Sequence, residues 1–266
     1  MNKLSVKFLI VCLTVLPVSC RDRKNASRSG GEAAAVVSTT AWTAAFAEAA
    51  GAKEIVILAP FEMEHPSEYE LRPGDIPKIM HAELIVYAGY EVMAERLKKG
   101  LDIPPEKLLP VDTDYRYETI EESVMNIARH LGTEDRARDN LFAIRKALND
   151  GRSLLMEKNL SGKPVMVHRF QSSIAEELGL VPVALFGPSA PEASEIAGAA
   201  KKDVFMIIDN VHNPVGQPFK EVLPDKAYVQ FLNFPGRNGT KTLTDVIRYN
   251  VTQIVSNCSS LSVNLP

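Results

Sequence analysis

The sequence is poor in cysteine, with three in 266 residues. Cys12 would leave with the apolar leader and Cys20 would carry a lipid, so Cys258 would be the one thiol of the mature chain. A chain with a single thiol cannot form an internal disulfide. Its stability must therefore come from the core, and a sequence of this length that is 45% hydrophobic can build one large domain or two small ones.

The sequence also lacks an excess of positive charge and the short motifs of several enzyme classes. Its formal net charge is −3, which excludes nucleic acid as an expected partner. No H-E-x-x-H motif, phosphate-binding loop or nucleophile with a partnered base occurs in it. We therefore expect a protein that is not an enzyme, although a metallohydrolase that uses His65 and His168 stays open as an alternative.

The first residues differ in composition from the rest of the chain. Lys3 and Lys7 precede the apolar run 8–18, which is too short for a stable membrane span. This pattern predicts a signal peptide over residues 1–19.

The junction Ser19-Cys20 is similar to a bacterial lipobox, in which the cysteine becomes the lipid-bearing first residue of the mature chain. Pro17 stands where lipoboxes usually carry leucine, so simple secretion is the alternative. Residues 20–33 are charged and rich in serine and glycine, which predicts a disordered tether. We expect attachment to the membrane through Cys20 in the bacterial cell envelope, in the periplasm or on the outer face of the membrane.

Short apolar runs alternate with helical patterns from residue 34 onward, which predicts parallel sheets. The predicted strands are 34–39, 55–58, 84–87, 108–111, 165–168, 181–185, 204–208 and 228–232. The predicted helices are 42–50, 76–81, 91–98, 120–131, 172–178, 192–200 and 243–255, the last with a capping box at Thr242 and Asp245. The fold class is therefore α/β, with an N-terminal lobe over 34–132, a C-terminal lobe over 162–258 and a tail over 259–266.

A polar loop follows the predicted strand 55–58. It contains His65, and Asp75 is placed to cap the helix 76–81 that comes next. The loop also carries the carboxylates of Glu64, Glu68 and Glu70. Because open parallel sheets bind ligands beyond the carboxyl ends of their strands, these groups together suggest a bound cation.

Three segments carry a resemblance to a known family. Residues 65–76 read H-P-S-E-Y-E-L-R-P-G-D-I, residues 82–91 read A-E-L-I-V-Y-A-G-Y-E, and residues 164–168 read P-V-M-V-H. They resemble the zinc- and manganese-binding solute-binding lipoproteins of ABC importers (cluster A-I), which typically read D-P-H-x-Y-E-P-x-P-x-D, D-L-I-f-x-N-G and v-v-F-H. The resemblance implies two βα lobes with parallel sheets joined by one long helix.

The linking helix is expected over residues 133–161. Apolar residues keep helical spacing through this segment, whereas Asn149-Asp150-Gly151 taken alone would favour a turn. The resemblance favours the continuous helix, at the cost of about 1 kcal/mol for an internal glycine.

The resemblance also implies four metal-ligand positions between the lobes, and three of them differ in this chain. Ser67 replaces the first family histidine, and His65 stands two residues earlier. Asp114 takes the second position, His168 keeps the third, and Asn233 replaces the final aspartate. Since serine and amide oxygens bind divalent ions less strongly than the family's donors, we expect a weaker metal site.

Two further residues follow the predicted strand 204–208. Asp209 and His212 are expected at the same cleft, so either is a candidate metal ligand or a candidate hydrogen-bond partner of a ligand. Other interpretations stay open, because Asp209 would also cap its own loop and Asp114 would also serve as a loop acid near a helix start. His65 either reaches the metal or is solvated beside Glu64.

The function implied is capture of a divalent metal ion for delivery to an ABC transporter permease. Zinc is the first expectation for the ion, followed by manganese or iron, and the ion is cargo rather than a catalytic cofactor. We expect a monomer. A binding protein of the same fold with a non-metal ligand is one alternative, and a surface adhesin is another.

The leader generates a direct prediction. Cys20→Ser should move the protein out of the membrane fraction, because the variant cannot accept a lipid at its mature N-terminus. Detergent partitioning of the two proteins measures the change. An unaltered membrane fraction for Cys20→Ser would contradict lipid anchoring.

Overall fold

The computed structural model describes residues 36–60, 63 and 65–259. The predicted signal peptide, Cys20, the tether, Glu64 and nearly all of the predicted tail lie outside the described residues. Within the described ranges, no helix combines the length and apolarity needed to cross a membrane.

Eight strands form two parallel four-stranded sheets, which confirms the predicted α/β class. The first sheet contains β1 Val36–Ser38, β2 Ile55–Ile57, β3 Leu84–Tyr87 and β4 Leu108–Pro110 in the order β2-β1-β3-β4. The second contains β5 Pro164–His168, β6 Val181–Phe186, β7 Met206–Asn210 and β8 Ala227–Phe231 in the order β6-β5-β7-β8. The two sheets thus repeat one topology, in which the first strand of each lobe lies inside the sheet.

Nine helices connect or cover these strands in the described part of the chain. They are α1 Ala41–Ala49, α2 Ile76–His81, α3 Val92–Lys99, α4 Tyr117–Leu131, α5 Glu134–Glu157, α6 Ser172–Glu177, α7 Ala193–Ala199, α8 Gln217–Val222 and α9 Leu243–Ser259. The sequence patterns predict all of them except α8. That helix is short and lies between Gly216 and Pro224, so its surroundings have the composition of a loop.

Alternate side chains of the inner strands enter different cores. Val36 of β1 and Val165 of β5 belong to one continuous cluster that also contains buried residues of α1, α4, α5, α6 and α9. Val37 packs on the other face of the first sheet against α2 and α3, and Met166 packs on the other face of the second sheet against α7 and α8. This two-residue alternation is what a strand buried on both faces requires.

The long helix α5 is continuous through Gly151 and spans about 36 Å at 1.5 Å per residue. Near its start, the Nδ2 of Asn140 donates to the Ala49 carbonyl of α1 at 3.0 Å. Near its end, the Nε of Arg152 donates to the Glu177 carbonyl of α6 at 2.9 Å. The helix therefore contacts one helix of each lobe, α1 of the first and α6 of the second.

Two local predictions are corrected by the structure. Asp75 makes no side-chain cap to α2, because its carboxylate accepts hydrogen bonds from the Arg72 N–H, the Tyr69 hydroxyl and the Lys78 ammonium. Strand β7 begins and ends two residues later than predicted, since Asp209 and Asn210 stay paired in the sheet with β8. The predicted capping box before α9 is confirmed by reciprocal bonds of 3.1 Å between Thr242 and Asp245.

The close packing at Gly151 generates a stability prediction. A Cβ at this position would lie 2.7 Å from Val251 Cγ2 and 2.9 Å from Leu178 Cδ2. Gly151→Ala should therefore lower the free energy of unfolding by up to about 2 kcal/mol, because an overpacking cost of about 1–3 kcal/mol exceeds the helix-propensity gain of about 1 kcal/mol. Urea denaturation measures the change.

Gly198 in α7 is the matched control. Its Cβ would have no described atom within 4 Å, so Gly198→Ala should stabilise the protein by up to about 1 kcal/mol. Equal stabilisation by the two substitutions would contradict the packing described for Gly151.

Candidate ligand-binding cleft

A cleft of about 700 Å³ lies beyond the carboxyl ends of the strands. The segments that follow all eight strands contribute to its lining. In strand order they supply Trp42, His65, Tyr90, Asp112, Phe170, Ser189, His212 and Asn233. The predicted position of the site, at the carboxyl edges of two parallel sheets, agrees with this arrangement.

Aromatic contacts cross the cleft floor from the first lobe to the second. The Trp42 ring lies 6.1 Å from the Phe234 ring and 6.4 Å from the Tyr115 ring, measured between centroids. Phe234 in turn stacks on His212 at 3.8 Å. The Tyr115 hydroxyl donates to the Asn233 carbonyl at 2.7 Å, which adds a buried hydrogen bond between the lobes.

Glu91 fixes the rim of the first lobe. Its buried carboxylate accepts hydrogen bonds from the Thr39 hydroxyl at 2.5 Å, the Ala88 N–H at 2.8 Å and the Gly89 N–H at 2.6 Å. These bonds tie the segment after β1 to the segment after β3. Tyr90, which lines the cleft, lies between Gly89 and Glu91 in the chain, and these two residues are joined by one of the bonds.

His65 lies at the cleft lining and is exposed. It directly precedes a 3₁₀ turn, Pro66–Glu68, whose three residues also line the cleft. Asp112 contributes an exposed carboxylate from the segment after β4. The lining therefore has two acids and one imidazole that remain in contact with solvent.

His168 ends β5, as predicted, but it is fully buried and lies outside the cleft lining. Its Nδ1 accepts the Phe170 N–H at 3.2 Å, so the neutral ring carries its proton on Nε2. Burial lowers the pKa of His168 to about 4, against an opposing effect of Asp209 and with a smaller lowering by Arg169. A Cβ on Gly187 would lie 2.5 Å from Nε2, so this close approach requires glycine.

His212 does line the cleft. Its Nδ1 accepts the Asn233 N–H at 3.4 Å, which again leaves the proton of the neutral ring on Nε2. Burial, with a further contribution from Arg237, lowers the pKa of His212 to about 4. The ring is therefore neutral at physiological pH.

These tautomers bear on metal binding. A histidine ligand binds through a nitrogen lone pair and usually donates the N–H of its other nitrogen to a carbonyl or carboxylate. In His168 and His212 the Nδ1 lone pair is already engaged by a backbone N–H, and Nε2 presents a proton. As hydrogen-bonded here, each ring offers a donor rather than a metal ligand.

The remaining candidate ligands are engaged elsewhere. Asp209 accepts the Asn210 N–H, the Gly216 N–H and the Tyr228 hydroxyl, which is the loop-stabilising role left open by the sequence. Asp114 accepts the N–H and the guanidinium of Arg116 and does not line the cleft.

Asn233 lines the cleft, and its Oδ1 accepts from the Gln171 amide. The structure thus brings together His65, His212 and Asn233, and separates Asp114, His168 and Asp209 from them. Among the residues it describes, no group of three or more histidine, cysteine, aspartate or glutamate side chains is arranged to hold a metal ion.

The candidate ligands named from the sequence do not include several residues of the lining. Trp42, Tyr90, Phe170 and Phe234 form its aromatic part, and Asn210 lies at the end of β7. Their positions could have indicated them, because all five lie at or just after the carboxyl end of a predicted strand. The ligand positions implied by the resemblance favour histidine and carboxylate side chains, so they do not mark these residues.

No family model matches the chain, and no curated protein matches it significantly. Solved structures do match. The SBP FpvC from Pseudomonas aeruginosa in complex with Ni²⁺ is 18% identical with a TM-score of 0.69, over 85% of this chain and 97% of its own. A periplasmic metal binding protein from Candidatus Liberibacter asiaticus is 16% identical with a TM-score of 0.65, over 85% of this chain and 99% of its own. At these identities, the likeness establishes a shared bilobal fold.

The buried histidines generate a prediction for stability against pH. Both favour the neutral form when folded, so between pH 6.5 and 4 the unfolded chain binds more protons than the native one. Each should contribute stability above pH 6.5 and lose about 2–3 kcal/mol of it by pH 4.5. Urea denaturation at a series of pH values measures the slope.

His168→Asn provides the discriminating variant, since an amide oxygen can accept the Phe170 N–H without titrating. It should flatten the pH slope even if it lowers stability overall. His81→Gln, which alters an exposed histidine, controls for the substitution itself. A slope unchanged by His168→Asn would contradict the assignment.

Proposed function

We propose that this chain is the solute-binding protein of an ABC importer, which captures a ligand between its lobes and delivers it to a membrane permease. The observation that carries the proposal is the cleft, to which the segments after all eight strands contribute. A site made by every strand of two sheets serves ligand capture, because relative motion of the lobes would open and close it. The matching solved structures are themselves described as binding proteins.

The proposal includes a location. The basic leader, the apolar run and Ser19-Cys20 support export and lipid anchoring. One matching structure is described as periplasmic. An anchored protein in the cell envelope would meet its ligand outside the cytoplasmic membrane and remain close to its permease.

A divalent metal ion is the first candidate ligand. Its support is that proteins of the same fold are described in complex with Ni²⁺ and Mn²⁺. On the chain itself, His65, Glu68 and Asp112 line the cleft and are exposed. Zinc is the first expectation where imidazole contributes, and manganese where carboxylates dominate.

A small organic molecule is the second candidate. A volume of about 700 Å³ falls within the range of sites for such ligands and far exceeds the volume of an ion. Four aromatic residues line the cleft, and His212 of the second lobe presents a donor rather than a lone pair. Both features suit a molecule with an unsaturated surface and hydrogen-bonding groups.

Calorimetry on metal-stripped protein tests the metal candidate. Zinc and manganese should bind saturably, and His65→Ala should weaken zinc binding while His81→Ala and His130→Ala should not. His168 stands at the third ligand position that the resemblance implies. If it binds the metal, His168→Ala should weaken metal binding by about tenfold or more. No saturable binding of either metal would remove the metal candidate and leave the organic one.

A further inference from the structure

Three buried hydrogen-bond donors at the cleft have no partner among the described residues. They are Trp42 Nε1, Asn210 Nδ2 and His212 Nε2, and each belongs to a residue of the cleft lining. All three side chains are more than nine-tenths buried. Since buried polar groups in folded proteins are nearly always paired, three unpaired donors in the lining of one cleft indicate a partner supplied from outside the chain.

The chemical identity of each donor is fixed by its neighbours. The Oδ1 of Asn210 accepts the His212 N–H at 2.9 Å, so the free end of this amide is its NH₂ group. The Nδ1 of His212 accepts the Asn233 N–H, so the free nitrogen of the neutral ring carries a proton. The indole nitrogen of Trp42 is always a donor. The missing partner is therefore an acceptor.

The three donors come from both lobes. Trp42 belongs to α1 of the first lobe, whereas Asn210 and His212 lie at the end of β7 and just after it in the second. In this conformation each donor atom exposes less than 1 Å². A ligand that enters between the lobes would meet donors from both sides once relative motion of the lobes uncovers them.

Charge is distributed unevenly around these donors. Arg237 donates to the Val211 carbonyl at 3.4 Å, and its positive charge contributes to lowering the pKa of His212. The exposed acids Glu68 and Asp112 belong to the lining, and the described lining contains no lysine or arginine. This pattern favours a neutral or zwitterionic ligand over an anion.

The rings around the donors add a second requirement. Trp42, Phe234 and His212 form a connected series of stacked or tilted rings, and Tyr90 and Phe170 are further aromatic parts of the lining. Aromatic faces favour flat, unsaturated partners through stacking and through burial of apolar area.

We propose that the cleft binds a small organic molecule with an unsaturated face, neutral or zwitterionic overall, whose oxygen acceptors bond to Trp42, Asn210 and His212. This inference rests on the proposed solute-binding function and names the ligand class of the same site. A zwitterion would direct its carboxylate to the three donors and its ammonium group toward Glu68 and Asp112.

Three probes test the class on metal-stripped protein. Phenylalanine is a zwitterion, benzamide is a neutral acceptor, and phenethylamine is phenylalanine without its carboxylate. Trp42 is the only tryptophan, so its emission reports directly on the cleft. Phenylalanine and benzamide should bind saturably by calorimetry and change this emission, whereas phenethylamine should bind at least about tenfold more weakly.

Asn210→Asp is the decisive variant. It keeps the oxygen that accepts the His212 N–H and replaces the free donor by a carboxylate oxygen. Affinity for phenylalanine should fall by about tenfold or more, because the new side-chain carboxylate oxygen and the carboxylate of phenylalanine are both acceptors and cannot form a hydrogen bond. Asn149→Asp makes the same chemical change on exposed α5 surface and controls for added charge. Trp42→Phe keeps an aromatic ring, removes the indole donor and should weaken both acceptor probes in calorimetry.

The outcomes separate this inference from the proposed function. Failure of both acceptor probes to bind, equal binding of phenethylamine, or wild-type affinity in folded Asn210→Asp and Trp42→Phe would overturn the ligand class. If zinc or manganese changes Trp42 emission saturably while the acceptor probes do not, solute binding stands and the ligand class is wrong. If neither metals nor acceptor probes bind, both proposals fail.

Discussion

The contact between the lobes at the cleft floor is the constraint on which the site depends. The Tyr115 hydroxyl bonds to the Asn233 carbonyl, and Trp42 of the first lobe lies against Phe234 of the second. Each sheet alone would present only half of the lining. The contact brings the carboxyl ends of the strands of both sheets to one cleft. One continuous core, which includes buried residues of α4, α5 and α9, packs against strands of both sheets. The lining of the cleft is therefore a property of the assembled lobes rather than of either one.

The chemistry of the cleft follows from neutral side chains whose oxygen and nitrogen atoms are held by hydrogen bonds. The side-chain oxygen of Asn233 already accepts from Gln171. His168 and His212 each accept a backbone N–H at Nδ1, which fixes a proton on the nitrogen that a metal would need. Such a site presents hydrogen-bond donors, and under the proposal above its specificity depends on pairing these buried donors rather than on net charge.

Much of the fold was predictable because local signals agree with the tertiary structure. Buried β-branched runs marked the strands within a few residues, and α5 is continuous at Gly151, where close packing against α9 leaves no room for a Cβ. The site was predictable in position but not in chemistry. The sequence places His168 at a strand end, yet its burial depends on Phe186 and Gly187, which lie on a neighbouring strand and just after it. Likewise, whether Trp42 and Asn210 have partners depends on contacts between distant segments, which no local pattern encodes.

A crystal structure of the protein grown with phenylalanine tests the central claim most directly. The account predicts the aromatic ring in the cleft among Trp42, Tyr90 and Phe234, with carboxylate oxygens at about 2.7–3.2 Å from Trp42 Nε1, Asn210 Nδ2 and His212 Nε2. A cleft without the probe, or a metal ion bound to the Nε2 of His212 or His168, would contradict it.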